Sequence, residues 1–488
     1  MSRIAFTAVA AALALAGTAA SFPSTVAVSA GKKVSCGANV RNFILVGEAW
    51  LAKGAEASLW FHTTTQPPTT QLPNHPTTQL LTTQPPNHPT TKPVSGYEVL
   101  FHNGPIDGSR KTGSLSHVRN LYRSMARDEE WFPFEIVVRE KNVEVRAGAE
   151  SAAPVVRYTE GEKPYRLPQY AKMLFSRGDF VFEGRKGETK FRDVVLIPLK
   201  DGVTNPDDIF PYADESTDPV IRLQQEDFPV INFHAHAKGG FTPEIAYNKS
   251  LVDGINYGLA VNIYGKIVRK GDGGIGRMIE NDDEALEYLR GMNGLPVING
   301  FQGEGRKWTM SFTQGSLSKC DYIFTDSMTV VDRNRQIRLY RPDEMTYNGR
   351  SPEAWMEFYV DQIEKILLNE PADIYVNPFY LPRELAPRFD ELWTDTRINR
   401  VLDILVKYKI ALEINSLSRL PGHKVIRMAK ARGVKFTFGT NNQNANIGRL
   451  EWALEAVKAC GITKDDMWFP TDSVRLSRQT TIYNTIIE

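Results

Sequence analysis

Polar side chains close a series of short apolar segments in the C-terminal half of this 488-residue chain. Imidazole and carboxyl groups can transfer protons or bind metals, and amide groups hydrogen-bond to hydroxyl groups of a ligand. If the segments are parallel strands of one barrel, their carboxyl ends meet at one mouth, so the sequence predicts a single polar pocket there. The side chains at these positions are His234, His236, Asn262, Glu304, Asp326, Asn377, Glu413, Asn441, Asn442 and Gln443.

The pair His234 and His236 has the spacing of a metal-binding pattern on a strand. Side chains alternate along a strand, so both imidazoles lie on the same face. With Glu304 as a third ligand, the pair predicts a site for one divalent metal, Zn, Mn or Fe, which would activate a water molecule. In the alternative, no metal binds and the two histidines only hydrogen-bond within the pocket.

Three carboxylates are the predicted catalytic groups, namely Glu304, Glu413 and Asp326. Glu413 is a candidate general base, and its alternative is a structural ion pair with Arg419 or Lys435. Because amides are good partners for sugar hydroxyls, the many amides at the predicted strand ends favour a carbohydrate ligand. The predicted substrate-binding residues are Asn262, Asn377, Asn441, Asn442, Gln443 and Arg306.

The elements that would position these residues differ between the two halves of the chain. Residues 36–200 contain short segments rich in Val, Ile and aromatic residues, which predict an antiparallel β-sandwich with a hairpin over 135–146. Helical periodicity in that half is confined to residues 117–127. Residues 227–476 alternate apolar with amphipathic segments, which predicts a multidomain chain whose second part is an α/β barrel of seven strands.

Four further segments are predicted to lie outside these two folded regions. Residues 1–20 have a basic start, an apolar run and small residues at the end, which predicts a secretory signal peptide and a periplasmic or secreted protein with no stable membrane span after cleavage. Residues 63–93 contain a Thr/Pro-rich repeat and are predicted to be disordered. Residues 201–226 are predicted to be a linker, and residues 477–488 a C-terminal tail.

Composition excludes some classes of partner. The chain has 58 Lys and Arg against 57 Asp and Glu, so its formal net charge is +1 and no nucleic-acid partner is expected. The 3 cysteines have neither the number of a disulfide framework nor the spacing of a metal site.

The segments INFHAH, QGEG and ALEIN resemble motifs of the polymerase-and-histidinol-phosphatase (PHP) superfamily. That resemblance implies a metal-dependent hydrolase on a distorted β7α7 barrel, with His234, His236 and Glu304 retained as ligands. Amides stand where the superfamily has histidine or aspartate ligands, so the resemblance implies a degenerate metal site. The replaced positions are Asn262, Asn377, Asn441 and Gln443.

The first region resembles the 3-keto-disaccharide hydrolase family, a concanavalin-like jelly-roll of bacterial secreted proteins. The strings GYEVLFHN and KTGSLSHV carry that resemblance. It implies a domain that binds sugar.

Three functions are compatible with these patterns. The first is a secreted hydrolase that acts on a glycoside or a modified (3-keto) sugar, with a carbohydrate-binding jelly-roll and a barrel that holds a reduced metal site or an acid/base pair. The second is a non-catalytic carbohydrate-binding protein on a decayed barrel. The third is a metal-dependent phosphoesterase, which rests on the resemblance of the barrel alone.

Overall fold

A computed structural model describes most of the chain. The predicted signal peptide apart from Ala20, the repeat insert apart from Thr63, and the C-terminal tail lie outside the described residues. The described residues are 20–21, 25–63, 95–148, 153–202, 218–238, 240–264, 279–306 and 308–472.

The chain divides into two compact units. The first comprises residues 1–103, 112–116 and 126–212. The second comprises residues 104–111, 117–125 and 213–488, so two short segments from within the first region of the sequence belong to the barrel unit.

The first unit contains two antiparallel sheets. Their strands are β1 (Ala20–Ser21), β2 (Thr25–Ser29), β3 (Lys33–Val40), β4 (Phe43–Leu51), β5 (Glu56–Thr63), β6 (Tyr97–Phe101), β7 (Phe132–Arg139), β8 (Asn142–Ala147), β9 (Val156–Thr159), β10 (Gly178–Lys186) and β11 (Glu188–Pro198). Strands β1 and β2 pair with β11 in a sheet of order β1-β11-β4-β7-β8-β9, and the second sheet has the order β3-β10-β5-β6.

Aromatic side chains join the inner faces of these two sheets. Phe43 of β4 packs edge-on against Phe180 of β10, with ring centroids 4.9 Å apart, and Phe101 of β6 meets Phe134 of β7 at 5.3 Å. Buried and partly buried residues alternate along β7, as expected for a strand with one face in the core. The predicted antiparallel sandwich and the β7–β8 hairpin are confirmed, whereas jelly-roll connectivity and family membership stay predictions.

The helix suggested by the periodicity of residues 117–127 is not present, so that interpretation was wrong. His117 has a φ of 66°, which a right-handed helix does not allow. The backbone N–H groups there bond to side chains instead, since that of His117 donates to Asn120 and that of Asn120 donates to Gln224.

The second unit contains a closed barrel of seven parallel strands in sequence order. Each of the seven predicted strands is present, so the α/β barrel is confirmed, whereas its identity as a PHP barrel stays a prediction. The barrel strands are β12 (Ile231–Ala235), β13 (Asn256–Tyr264), β14 (Ile298–Glu304), β15 (Tyr322–Thr325), β18 (Ile374–Tyr375), β19 (Ala411–Asn415) and β20 (Phe436–Gly439). An antiparallel hairpin of β16 (Thr329–Asp332) and β17 (Arg335–Arg338) follows β15.

Helices connect most of the barrel strands, and several begin at a side-chain cap. The hydroxyl groups of Thr242, Ser351 and Thr394 accept hydrogen bonds from backbone N–H groups of the first helical turn. The first helix lies within the predicted linker. The helices are α1 (Pro219–Gln225), α2 (Pro243–Asp253), α3 (Asp282–Gly291), α4 (Gln314–Leu317), α5 (Pro352–Asn369), α6 (Phe389–Leu392), α7 (Asp395–Tyr408), α8 (His423–Ala431) and α9 (Glu451–Cys460).

Apolar and aromatic side chains fill the barrel below the polar strand ends. The Tyr322 hydroxyl donates a 2.6 Å hydrogen bond to the Phe233 carbonyl, and its ring occupies space that a Cβ at Gly300 would fill. Ile106 and Tyr122, from the two short segments of this unit, belong to the same buried cluster. Among the described residues, none of the helices combines the length and apolar character that crossing a bilayer requires.

Candidate functional site

The predicted polar pocket corresponds to a cavity of about 930 Å³ in the barrel unit. Six of the side chains predicted from the sequence line it, and five others lie outside its lining. Of the predicted residues, those that line the cavity are His236, Asn262, Glu304, Asp326, Asn441 and Gln443. The predicted residues outside the lining are His234, Asn377, Glu413, Asn442 and Arg306.

Two carboxyl groups on the cavity wall share one amide. Gln302 Nε2 donates a 2.9 Å hydrogen bond to Glu304 Oε1 and a longer one, 3.4 Å, to Asp326 Oδ2. Asn262 Nδ2 also donates to Glu304 Oε1, at 3.0 Å, and the Met328 N–H donates to Asp326 Oδ1 at 2.9 Å. Among the described residues no group hydrogen-bonds to Glu304 Oε2, so that oxygen is available to a ligand in the cavity.

The environment of this carboxyl pair favours protonation. Burial, followed by repulsion from Asp326, raises the pKa of Glu304 to about 8. Burial also raises the pKa of Asp326, against the opposing attraction of Arg306. Two carboxyl groups this close cannot both ionise readily, so the pair holds a proton at neutral pH, and we assign it to Glu304.

A buried ion pair braces the wall behind these carboxyl groups. Arg306 Nη1 lies 2.8 Å from Glu370 Oε1, and Arg306 Nη2 donates a 3.3 Å hydrogen bond to the Asp326 carbonyl. Glu370 also accepts hydrogen bonds from Trp308 and Thr325. The predicted role of Arg306 in substrate binding stays a prediction, and these contacts fit a positioning role.

The second cluster of polar residues lies below the cavity, around His234 and Glu413. His234 Nδ1 is 2.7 Å from Glu413 Oε1, and both side chains are buried. Glu413 Oε2 accepts a 2.6 Å hydrogen bond from the Asn377 N–H, and Asn415 Nδ2 donates to Glu413 Oε1 at 3.3 Å. Neither Arg419 nor Lys435 pairs with Glu413, because its carboxyl group is engaged by these inner residues instead. Direct catalysis by Glu413 stays a prediction.

His236 lies between the two clusters. Its Nδ1 is 2.9 Å from the Ala260 carbonyl, which only accepts hydrogen bonds, so Nδ1 carries the proton and the Nε2 lone pair remains. Burial, with added repulsion from His234 and Lys238, lowers the pKa of His236 well below its usual value. The imidazole is therefore neutral at neutral pH.

The contacts of His234 and His236 agree only in part with the predicted metal site. Both histidines direct Nδ1 at an oxygen, as metal-bound histidines usually do, and their ring centroids are 5.1 Å apart. The buried Nε2 of His234 has no hydrogen-bond partner in the described part of the chain. However, the described residues contain no group of three or more His, Cys, Asp or Glu side chains placed to hold one ion. The residues therefore do not fit the predicted set of His234, His236 and Glu304 as a three-ligand site.

The predicted amides fall into two groups. Asn442 braces the backbone of His236, since it accepts from the His236 N–H at 2.7 Å and donates to the His236 carbonyl at 2.9 Å. Asn377 lies beneath the cavity against Asn415. Asn441 and Gln443 follow β20 and line the cavity, as does Asn262. These last three are placed for contact with a ligand.

Several lining residues were not foreseen from the sequence. They include Lys238, Tyr264, Gln302, Arg335, Arg338 and Tyr340. Gln302 precedes Glu304 by two residues on a strand, so alternation of side chains was a signal that could have identified it. The β16–β17 hairpin contributes Arg335 and Arg338, and its turn at Arg333 and Asn334 has φ values of 47° and 62°. Asn334 at this two-residue turn is the feature of the sequence that could have identified the hairpin.

No family model matches the chain, and no curated protein matches it. Similar solved structures include a candidate glycosyl hydrolase from Parabacteroides distasonis, with a TM-score of 0.28 and 12% identity over 36% of this chain and 81% of that chain. The VIP36 exoplasmic/lumenal domain, bound to Ca²⁺ and Man3GlcNAc, has a TM-score of 0.24 and 11% identity over 39% of this chain and 84% of its own. A fructosyltransferase from A. japonicus has a TM-score of 0.21 and 12% identity over 40% and 28% of the two chains. Likenesses of this size assign no activity.

Proposed function

We propose that the barrel cavity binds a carbohydrate and hydrolyses a glycosidic bond, with Glu304 as the proton donor and Asp326 as the proton acceptor. The observation that carries this proposal is the carboxyl pair of Glu304 and Asp326 on the wall of an open cavity, bridged by the Gln302 amide. Hydrolysis of a glycoside commonly uses two carboxyl groups in different protonation states. The raised pKa of Glu304 supports this division of roles.

The proposed reaction balances with these two groups and one water molecule. Glu304 donates its proton to the glycosidic oxygen as the bond between that oxygen and the anomeric carbon breaks. Asp326 accepts a proton from the water molecule, whose oxygen forms the new bond to the anomeric carbon. Return of that proton to Glu304 through solvent restores the starting state.

Ligand recognition in this proposal depends on neutral polar groups. The amides of Asn262, Asn441 and Gln443 face the cavity with Tyr264 and Tyr340. Amides bond to hydroxyls in both directions, and tyrosine rings stack on the apolar faces of sugars. A secreted or periplasmic location and sugar binding by the sandwich belong to the same proposal.

The leaving group of the substrate gives a sharp test of the proton donor. Purified protein is assayed against panels of alkyl glycosides, 4-nitrophenyl glycosides and their 3-keto derivatives. Glu304→Gln is expected to lower kcat/KM about 1,000-fold for alkyl glycosides, because loss of a general acid typically costs 100- to 10,000-fold. The loss should be much smaller for 4-nitrophenyl glycosides, whose leaving group needs no protonation.

The control is Glu455→Gln, at an exposed position on α9, which should leave both activities unchanged. Equal losses for both substrate classes would contradict the role of Glu304 as an acid. Binding of a glycan without hydrolysis of any glycoside would favour the non-catalytic alternative. Turnover of phosphate esters alone, sensitive to chelators, would favour the phosphoesterase.

A further inference from the structure

Four basic side chains lie in or beside the cavity, and two of them are already neutralised. Arg338 forms a close ion pair with Glu344, in which Arg338 Nε donates 2.9 Å hydrogen bonds to both carboxylate oxygens, and Arg306 is paired with Glu370. Neither is available to a ligand without losing a buried or partly buried partner.

Lys238 and Arg335 differ from these two arginines in their charge partners. Both line the cavity, and in the described part of the chain neither ammonium nor guanidinium group has an ion pair or a hydrogen bond. Lys238 is partly buried, three residues beyond the end of β12, whereas Arg335 is exposed on the β16–β17 hairpin. A partly buried ammonium group without a counter-ion is costly, so an anion in the cavity would be bound favourably there.

The carboxyl groups of the cavity leave this positive charge uncompensated. Glu344 is neutralised by Arg338, and Asp326 is attracted chiefly by Arg306. In the described part of the chain no carboxyl group of the lining forms an ion pair with Lys238 or Arg335, so both cations remain for an anionic ligand.

We infer that the cavity takes an acidic sugar, whose anionic substituent is bound by Lys238, with Arg335 as the second cation at the entrance. This inference rests on the proposed function and names its substrate class. Lys238 and Glu304 line the same cavity, so the acidic sugar would bind in the cavity that holds the proposed proton donor. A carboxylate, a sulfate or a phosphate would satisfy the same ammonium group.

The test is retention of the full-length protein on an array of neutral glycans and their acidic counterparts. Three acidic sets, carrying a uronic acid, a sulfate or a phosphate, separate the sources of the charge. The wild-type protein is expected to bind at least one acidic set about 10-fold more tightly than the matched neutral glycans, because a hydrogen bond to a charged group is stronger than one between neutral groups.

Lys238→Met should remove this preference and leave neutral-glycan binding unchanged, which also shows that the variant is folded. Lys238→Arg should retain most of it, and Lys458→Met, at an exposed position on α9, should behave as wild type. Equal binding of neutral and acidic glycans, or an equal loss of both in Lys238→Met, would overturn the inference but leave glycoside hydrolysis intact. Failure to bind any glycan, with no glycoside hydrolysed, would reject the proposed function as well.

Discussion

Two carboxyl clusters of the barrel are built from the same residue types but have different environments. Around Glu413, both carboxylate oxygens are engaged, by His234, Asn377 and Asn415, and the side chain has no exposed surface. On the cavity wall, Glu304 faces an open volume with one oxygen available, and it shares an amide donor with a second carboxyl group.

The difference shows that polar residues at strand ends need not share one role. A fully satisfied buried network fixes the positions of its members, and removing one of them leaves donors without acceptors. An incompletely satisfied pair instead has altered protonation and room for a ligand, which are the properties that catalysis requires. We therefore expect a structural role for Glu413 and, under the proposed function, a catalytic role for Glu304.

The largest expected effect comes from replacing the satisfied carboxyl group. Glu413→Gln presents an NH₂ group to at least one of the donors from His234 and Asn377, so buried donors are left unpaired. We expect a loss of about 3 kcal/mol in the free energy of unfolding, because each unsatisfied buried donor costs about 1–3 kcal/mol. Urea-induced unfolding at pH 6 measures it.

Glu304→Gln is the matched comparison in the same experiment. At pH 6 the folded carboxyl group keeps its proton whereas the unfolded one has lost it, so a neutral amide at this position should stabilise the protein, by up to about 2 kcal/mol. If Glu304→Gln were the more destabilising of the two variants, the division into a structural and a chemical cluster would be wrong.

A smaller effect is expected at Gly439, which ends β20 directly against the structural cluster. A Cβ at this position would overlap the Glu413 carboxyl group and lie 2.7 Å from the His234 Cβ. Gly439→Ala should therefore lower the free energy of unfolding by about 2 kcal/mol, as overpacked cores do.

The control for that substitution is Gly291→Ala at the end of α3, where a Cβ would meet no atom within 4 Å. It should be neutral or slightly stabilising, because alanine favours the helix. Unchanged thermal unfolding of Gly439→Ala would show that β20 can move away from Glu413, and the rigidity of the cluster would be disproved.

The sequence was sufficient for the elements of the barrel. Apolar segments bounded by turn residues identified all seven strands, and alternation placed His234 and His236 on one face. Parallel strands in order then required the strand ends to converge, which is why Glu304 and Asp326 meet at one cavity.

Which strand-end residues reach the cavity was not predictable. His234 and Glu413 turn towards each other below it, and that depends on Gly439 leaving room between strands, a three-dimensional fit that no linear pattern encodes. The cations at the cavity were missed for a related reason. Lys238 follows its strand by three residues, and Arg335 comes from a hairpin inserted between β15 and α5.

The raised pKa of Glu304 makes the free energy of unfolding fall as the pH rises. The unfolded carboxyl group has a pKa of 4.5 and the folded one about 8, so between these values the folded state holds a proton that the unfolded state has lost. The stability contributed by Glu304 is therefore fully present below pH 4.5, falls as the pH rises, and is lost above pH 8. The total change is on the order of a few kcal/mol.

The most direct measurement is the difference in unfolding free energy between wild-type protein and Glu304→Gln, followed from pH 4 to 9. Because the variant cannot titrate at this position, the difference reports the proton that the carboxyl pair holds. The stability of the wild type relative to the variant is expected to decline across this range and to level off near pH 8. A difference that is flat above pH 5 would mean that Glu304 ionises like an exposed carboxylate, and the proton donor of the cavity would be lost with it.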